Sequence, residues 1–210
     1  MSDSTGPAPV SDSVLFDTFW SLVAEQGWQQ LSMQAVASRS GMTLAELRAR
    51  APYKGALPLM FARAVDEAVL RDNPTVATGS ARDRLFDVLM RRIDALQPHR
   101  DGVIRLGRDM RTDPMLTLML APQLGASMAW MLEAAGIEAS GFKGALRVNG
   151  LSGVWLATLR AWEKDEGQDL GGTMAALDRA LDRAAQIAGT LRIDMPESSA
   201  AADEPLSPSI

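Results

Sequence analysis

The chain has 210 residues, 47% hydrophobic and 22% charged, with a net charge of -5, enough to build a sizeable core in one domain or two. It carries no cysteine and a single histidine, His99, which excludes disulfide scaffolds, thiolate metal sites and cysteine nucleophiles and leaves little for acid–base chemistry near neutrality. The acidic excess argues against indiscriminate coating of nucleic acid but leaves room for a local basic reading surface. Eighteen of the 21 basic residues are arginine, the others being Lys54, Lys143 and Lys164, a choice that suits directed contacts. Residues 1–10 have neither a basic start nor an apolar run, and no stretch reaches the roughly 18 apolar residues of a membrane span. A cytoplasmic soluble chain, with no stable membrane insertion, is expected.

Both ends, 1–12 and 193–210, are rich in Ser, Pro, Ala and acids without apolar period and read as disordered. Between them the pattern is helical, with no strand-like alternation. A first helix over 13–26 places Val14, Leu15, Thr18, Leu22 and Glu25 in one phase and stops at Gly27. Ser32 caps a second over 33–39, closed by Gly41. Thr43 caps a third over 44–50 with Glu46 at its third position, and Pro52 ends it. A fourth spans 55–71, followed by a break at Asn73, Pro74 and Gly79. Ser80 then starts a helix to Leu96, and others follow over 100–111, 114–135 (with Pro122 inside), 140–166 and 174–191. The layout is all-α with about nine helices: a head over 13–54, a connecting helix and loop over 55–79, and a larger body over 80–192.

Two short helices joined by a four-residue turn, Ser40 to Thr43 with Gly41, have the form of a helix-turn-helix, although an ordinary turn between core helices fits the same spacing. From Arg39 to Lys54 the charge is +3, from Arg39, Arg48, Arg50 and Lys54 against Glu46, a local reversal on an acidic protein. Arginines solvating a helix face give the same count. Glu46 fits either a helix cap or an acceptor for a cytosine amino group.

The run EQGWQQLSMQAVASRSGMTLAELRARAPYKGAL resembles the DNA-binding head of the tetracycline-repressor (TetR) family. The resemblance takes in the Gly27 turn, LSMQAVA, the GMT turn, Leu47, and Pro52, Lys54, Ala56 and Leu57. It implies a homodimer whose third helix enters the major groove of a double-stranded DNA operator. The groove-facing residues would be Thr43, Leu44, Ala45, Glu46, Arg48 and Arg50, with Arg39, Tyr53 and Lys54 on the phosphate backbone. Arg48 and Ala51 stand where the family usually has Tyr and Phe. The body, through Arg82-Asp83, Pro98-His99-Arg100, Lys143, Trp162, Asp165, Thr173 and Leu177-Asp178-Arg179, also resembles the TetR-fold lipid-binding accessory family of coenzyme Q biosynthesis. That resemblance implies a lipid or isoprenoid ligand and a head that no longer binds an operator.

Met110, Met115, Met119, Met128, Trp130 and Met131, with Asn149 and Trp155 on the next helix, offer an adaptable lining for a small apolar effector; plain core filling fits the same residues. Gly144, Gly150, Gly153 and Ala157 on one helix, and Ala175, Ala176, Ala180, Ala184, Ala185 and Ala188 on the last, make small faces. These suit a dimer seam through the last two helices, or close packing within one chain. No nucleophile elbow, phosphate loop, dinucleotide glycine pattern or metal-ligand spacing is present, so an enzyme and a cofactor are the least supported readings.

Overall fold

A computed structural model describes residues 10–71 and 79–190. The terminal segments expected to be disordered, and the break around Asn73 and Pro74, lie outside these residues or nearly so. Nine α-helices occupy the described residues: α1 (Asp12–Gln30), α2 (Met33–Ser40), α3 (Leu44–Arg50), α4 (Ala56–Arg71), α5 (Ala81–Leu96), α6 (Arg100–Met110), α7 (Pro114–Ala134), α8 (Gly141–Lys164) and α9 (Gly171–Thr190), with a 3-10 turn, Gln97–His99, between α5 and α6. Strands are absent among them.

The helix ends follow the local chemistry. Ser11 and Ser32 accept from backbone N–H groups in the first turns of α1 and α2, satisfying donors that a helix start leaves unpaired. Gly41 closes α2 at φ +74°, a left-handed conformation that a Cβ disfavours. Thr43 and Glu46 form a reciprocal capping box at the start of α3, and Ser80 with Asp83 does the same before α5. The regular run of α1 ends at Gly27, as expected. That residue breaks the helical geometry at φ +78°, and one further turn follows. Helix α9 starts three residues before the expected position, because Asp165 accepts from the Thr173 N–H and hydroxyl at 2.7 and 2.8 Å and so draws Gly171 and Gly172 into the first turn.

The chain divides into two compact units, one of residues 1–72 and 90–128 and the other of 73–89 and 129–210. The division passes through α5 and α7 instead of following a head-and-body boundary at 55–79. The first unit groups the head with α6 and most of α7 for a physical reason: α6 lies along α1. A methyl group at Gly102 of α6 would stand 2.5 Å from the Trp20 carbonyl oxygen, so this glycine permits the close approach. Trp20 meets Phe19 and Phe61 edge-on at 4.7 and 5.0 Å, and Phe61 meets Phe16 at 5.4 Å. Leu15, Phe19, Val23, Leu47 and Leu57 are fully buried around them. Asp66 of α4 is also buried; it pairs with the buried Arg92 of α5 and accepts from the Ser127 hydroxyl of α7 at 2.6 Å.

In the second unit α8 and α9 pack together over Trp155, Trp162, Leu177 and Leu181, with Leu85, Leu89, Met131, Leu132 and Ile137 completing the core. Arg82 binds Asp178 at 2.6 Å and Asp182 at 2.7 Å, and Arg84 donates to the Ala135 carbonyl at 2.7 Å. Helix α7 is the one described helix long and apolar enough to cross a membrane by length and composition. Leu116, Ser127, Met128, Met131 and Leu132 along it are nevertheless buried in the two units.

His99 fills the corner between α5 and α6, with its ring edge-on to Phe61 at 5.0 Å and its Nε2 3.8 Å from the Asp17 carboxylate. Burial pulls its pKa below the usual 6.5, and Asp17 only partly opposes this. The fold therefore disfavours the imidazolium. Stability from this residue is full above pH about 6.5 and falls as the pH drops through the lowered folded value. Unfolding by denaturant is expected to become easier between about pH 7 and pH 5, and His99→Gln is expected to flatten that part of the profile. An equal slope in the variant would assign the dependence to other groups.

Candidate nucleic-acid interface and ligand cavity

Helix α3 is held by a single buried side chain, Leu47, while Thr43, Leu44, Ala45, Glu46, Arg48 and Ala49 are exposed and Arg50 is half-buried. Such a short helix has little packing of its own, so its position is set by its two ends. At the start, Met42 is buried and donates its N–H to the Ala37 carbonyl at 3.0 Å. At the end, Ala51 is fully buried and donates to Leu47 at 2.8 Å. The outcome is a rigid platform that presents a short helix outward.

The cations of this region are not equivalent. Arg39 forms a two-oxygen pair with Glu25 at 2.7 Å, and Arg50 reaches Asp12 at 3.2 Å, so two acids from α1 offset part of the local positive charge. Arg48 is exposed and has no ion-pair partner among the described residues. Tyr53 is also exposed, so it does not fill the space that Ala51 leaves where the family usually has Phe.

Lys54 turns inward: its ammonium donates to the Trp28 and Leu31 carbonyls at 2.9 and 3.1 Å and lies 4.4 Å from the centre of the Trp28 ring. Burial lowers its pKa, and the Asp113 charge opposes that shift. Lys54 is thus a clasp on the carbonyls at the end of α1. Glu46 likewise spends its carboxylate locally. It accepts from the Thr43 N–H and hydroxyl at 2.7 and 2.8 Å, and these bonds hold its pKa below the usual value. Of the two roles considered for it, the helix cap is the one seen in this arrangement.

A second clasp ties α6 to the same turn. The Asp109 carboxylate accepts from the Trp28 N–H at 2.7 Å and from Arg105 at 3.3 Å, and the Arg105 guanidinium lies over Gly27. The orientation of the head is therefore wired to α6 through Gly27, Trp28 and Lys54.

The residues expected to line an effector pocket do not come together. Met115 and Trp130 are exposed, Asn149 is exposed and bonds the Ala145 carbonyl of its own helix, and Met128, Met131 and Trp155 are buried as core. Met119 packs on Gly55, and Met110 is half-buried at the end of α6. A half-open cavity among the described residues lies wholly in the second unit, about 380 Å³ in volume and bounded by α5, the end of α7, α8 and α9. Leu85, Leu132, Ile137, Leu151, Val154 and Leu181 are buried around it, and none of the eight expected residues lines it. The reason is geometric. Methionine and tryptophan fill space between helices, whereas space is left where side chains are small, and Gly150, Gly153, Ala157, Ala180, Ala184 and Ala188 border this cavity.

An all-helical chain with a capped helix-turn-helix in front of longer helices is an architecture that comparison with solved structures can place. No protein-family model matches the sequence, and no curated protein does. Among solved structures, the chain is similar to a TetR transcriptional regulator from Nitrosomonas europaea (TM-score 0.67, 21% identity, covering 83% of this chain and 98% of that one). It is also similar to one from Rhodococcus sp. RHA1 (0.61, 18%, 82% and 93%) and to one from Streptomyces coelicolor (0.55, 14%, 86% and 84%). The fold is that of the TetR transcriptional regulators.

Proposed function

We propose that the protein is a TetR-like transcriptional regulator of the cytoplasm, without enzymatic activity. In this reading it binds operator DNA as a homodimer and represses until a small apolar effector binds. The observation that carries this reading is α3, which exposes every residue but Leu47 and half-buried Arg50 on a head whose turn is fixed by Gly41, Thr43 and Glu46. Leu44, Ala45 and Arg48 reach base edges, Arg39 and Tyr53 steady the phosphate backbone, and Thr43 starts the reading helix. The exposed small faces of α8 and α9 form the dimer seam, which sets two heads at a fixed half-site spacing. The apolar cavity of the second unit supports a second reading, a lipid-binding accessory protein with a silent head.

Titration of the full chain against DNA from upstream of its own gene separates the two. A regulator binds that DNA in preference to scrambled competitor, and its affinity falls steeply with salt. Arg48→Ala is expected to weaken binding by about tenfold and to relax the preference for that DNA over the scrambled competitor. Equal binding to scrambled DNA, with no effect of Arg48→Ala, would overturn the regulator.

A further inference from the structure

Three of the four cations between Arg39 and Lys54 are answered from within the head. Lys54 places its ammonium on the Trp28 and Leu31 carbonyls. Arg39 is gripped by Glu25, whose two carboxylate oxygens both accept from its Nη1 at 2.7 Å. Arg50 donates from Nη1 to Asp12 at 3.2 Å. Asp12 opens α1 and Glu25 stands two residues before the break at Gly27. One helix therefore supplies an acid to the last turn of α2 and another to the last turn of α3.

These pairs are not there for stability. The Arg39 and Glu25 side chains are about half exposed, and Asp12 is more exposed still. An exposed ion pair adds little to folding, because water screens it and two long side chains lose freedom to form it. What the acids change is the field of the surface that would meet DNA. The geometry gives the direction of the effect. Glu25 takes Nη1 and leaves the Nε–Nη2 edge of Arg39, the edge that receives a phosphate side-on, without a partner among the described residues. A phosphate arriving there either displaces the carboxylate or shares one guanidinium with it. The first loses an ion pair and the second sets two anions on one cation, so both lower affinity.

We propose that Glu25 and Asp12 are an electrostatic brake on the head, holding down its affinity for the phosphate backbone by answering Arg39 and Arg50. The inference rests on the DNA-binding reading of the head and adds how its affinity is set. Arg48, exposed and outside these pairs, is left for base edges. Non-specific binding, which is almost wholly electrostatic, is thereby kept weak.

The experiment is an anisotropy titration of two labelled duplexes, one from upstream of the protein's own gene and one of scrambled sequence, over a range of salt. The proteins are full-length wild type, Glu25→Gln, Asp12→Asn and the double variant. Each single amide is expected to tighten binding to both duplexes about three- to fivefold, the worth of an exposed ion pair. Each is also expected to steepen the fall of log affinity with log salt by up to about 0.9. Two further variants tie the gain to the pair. In an Arg39→Ala background, Glu25→Gln is expected to change nothing. Glu166→Gln makes the same change in net charge on an exposed loop of the second unit, and is expected to leave affinity as it is, because salt screens a distant charge.

Unchanged or weaker binding by either amide would overturn the brake, and weaker binding by Glu25→Gln would make that acid a support that orients Arg39. An equal gain from Glu166→Gln, or a gain that survives in the Arg39→Ala background, would also overturn it, since net charge alone would then account for the effect. Equal binding of the two duplexes by wild type overturns the regulator and leaves the brake to be read on the scrambled duplex at low salt. No binding of either duplex by any variant overturns both.

Discussion

Replacing Asp66 by alanine is expected to cost about 3–5 kcal/mol of unfolding free energy, the largest effect of any single change considered. Asp66 and Arg92 are both nearly inaccessible to water, and burial pushes the guanidinium pKa down to about 10. Removing the carboxylate leaves a positive charge in the interior of the first unit without its ion-pair partner and also takes the acceptor from the Ser127 hydroxyl. The pair is not therefore a large net source of stability, because two ions had to be taken out of water to form it. The double variant Asp66→Leu with Arg92→Met is expected to recover most of the loss. Denaturant unfolding of Asp66→Leu, Arg92→Met and the double provides the cycle that isolates the pairing. A single variant within about 1 kcal/mol of wild type would mean that the site stays hydrated or relaxes on mutation.

The second large effect concerns the close approach of α6 to α1. Gly102→Ala should raise helix propensity by about 1 kcal/mol, yet the added methyl group would lie 2.5 Å from a backbone oxygen and 2.9 Å from the ring of Trp20. A backbone carbonyl cannot swing aside as the end of a side chain can, so the helices must separate. Overpacking of this kind costs about 1–3 kcal/mol, and the net result is expected to be destabilising. Gly107 supplies the control, since it lies in the same helix and a methyl group there meets nothing within 4 Å. Gly107→Ala is expected to stabilise by up to about 1 kcal/mol. Opposite signs at two glycines of one helix would place the constraint at the α1 contact; equal signs would remove it.

These two sites also mark how far the sequence is readable. The head was legible because its boundaries are made by neighbours in the chain: Ser32, Gly41, Thr43 with Glu46, and Pro52 act within a turn of where they stand, and α2 and α3 fall where those residues put them. The all-α class and the TetR fold were legible for the same reason, together with the run around Gly27 and Leu47. Asp66 and Arg92 gave no such signal, because a charge on a helix reads as solvated until a partner 26 residues away is brought against it. The motif position of Lys54 points to phosphate, and its two carbonyl partners on Trp28 and Leu31 come only from the folding back of α1.

No methionine borders the cavity: the flexibility that suits methionine to a ligand also lets Met119 pack on Gly55 and lets Met128 and Met131 close gaps in the core. In the sequence the small residues of α8 and α9 read as a seam between helices. Their spacing, Gly150, Gly153 and Ala157 beside Ala180, Ala184 and Ala188, was the one signal that could have found the cavity.

The clasp of α6 on the turn after α1 bears on modularity. With Asp109 bonded to Trp28, Arg105 lying over Gly27 and Gly102 against Trp20, the head of this chain is not a bead that can be cut at the end of α4 and restrung. A chimera that joins this head to another body inherits α1 without the helix that shields it, unless α6 is carried over or the body's own equivalent helix has a small residue facing Trp20. Evolution by exchange of heads would meet the same junction. In this architecture the head and the helix that shields it are expected to diverge together, residue against residue along α1 and α6.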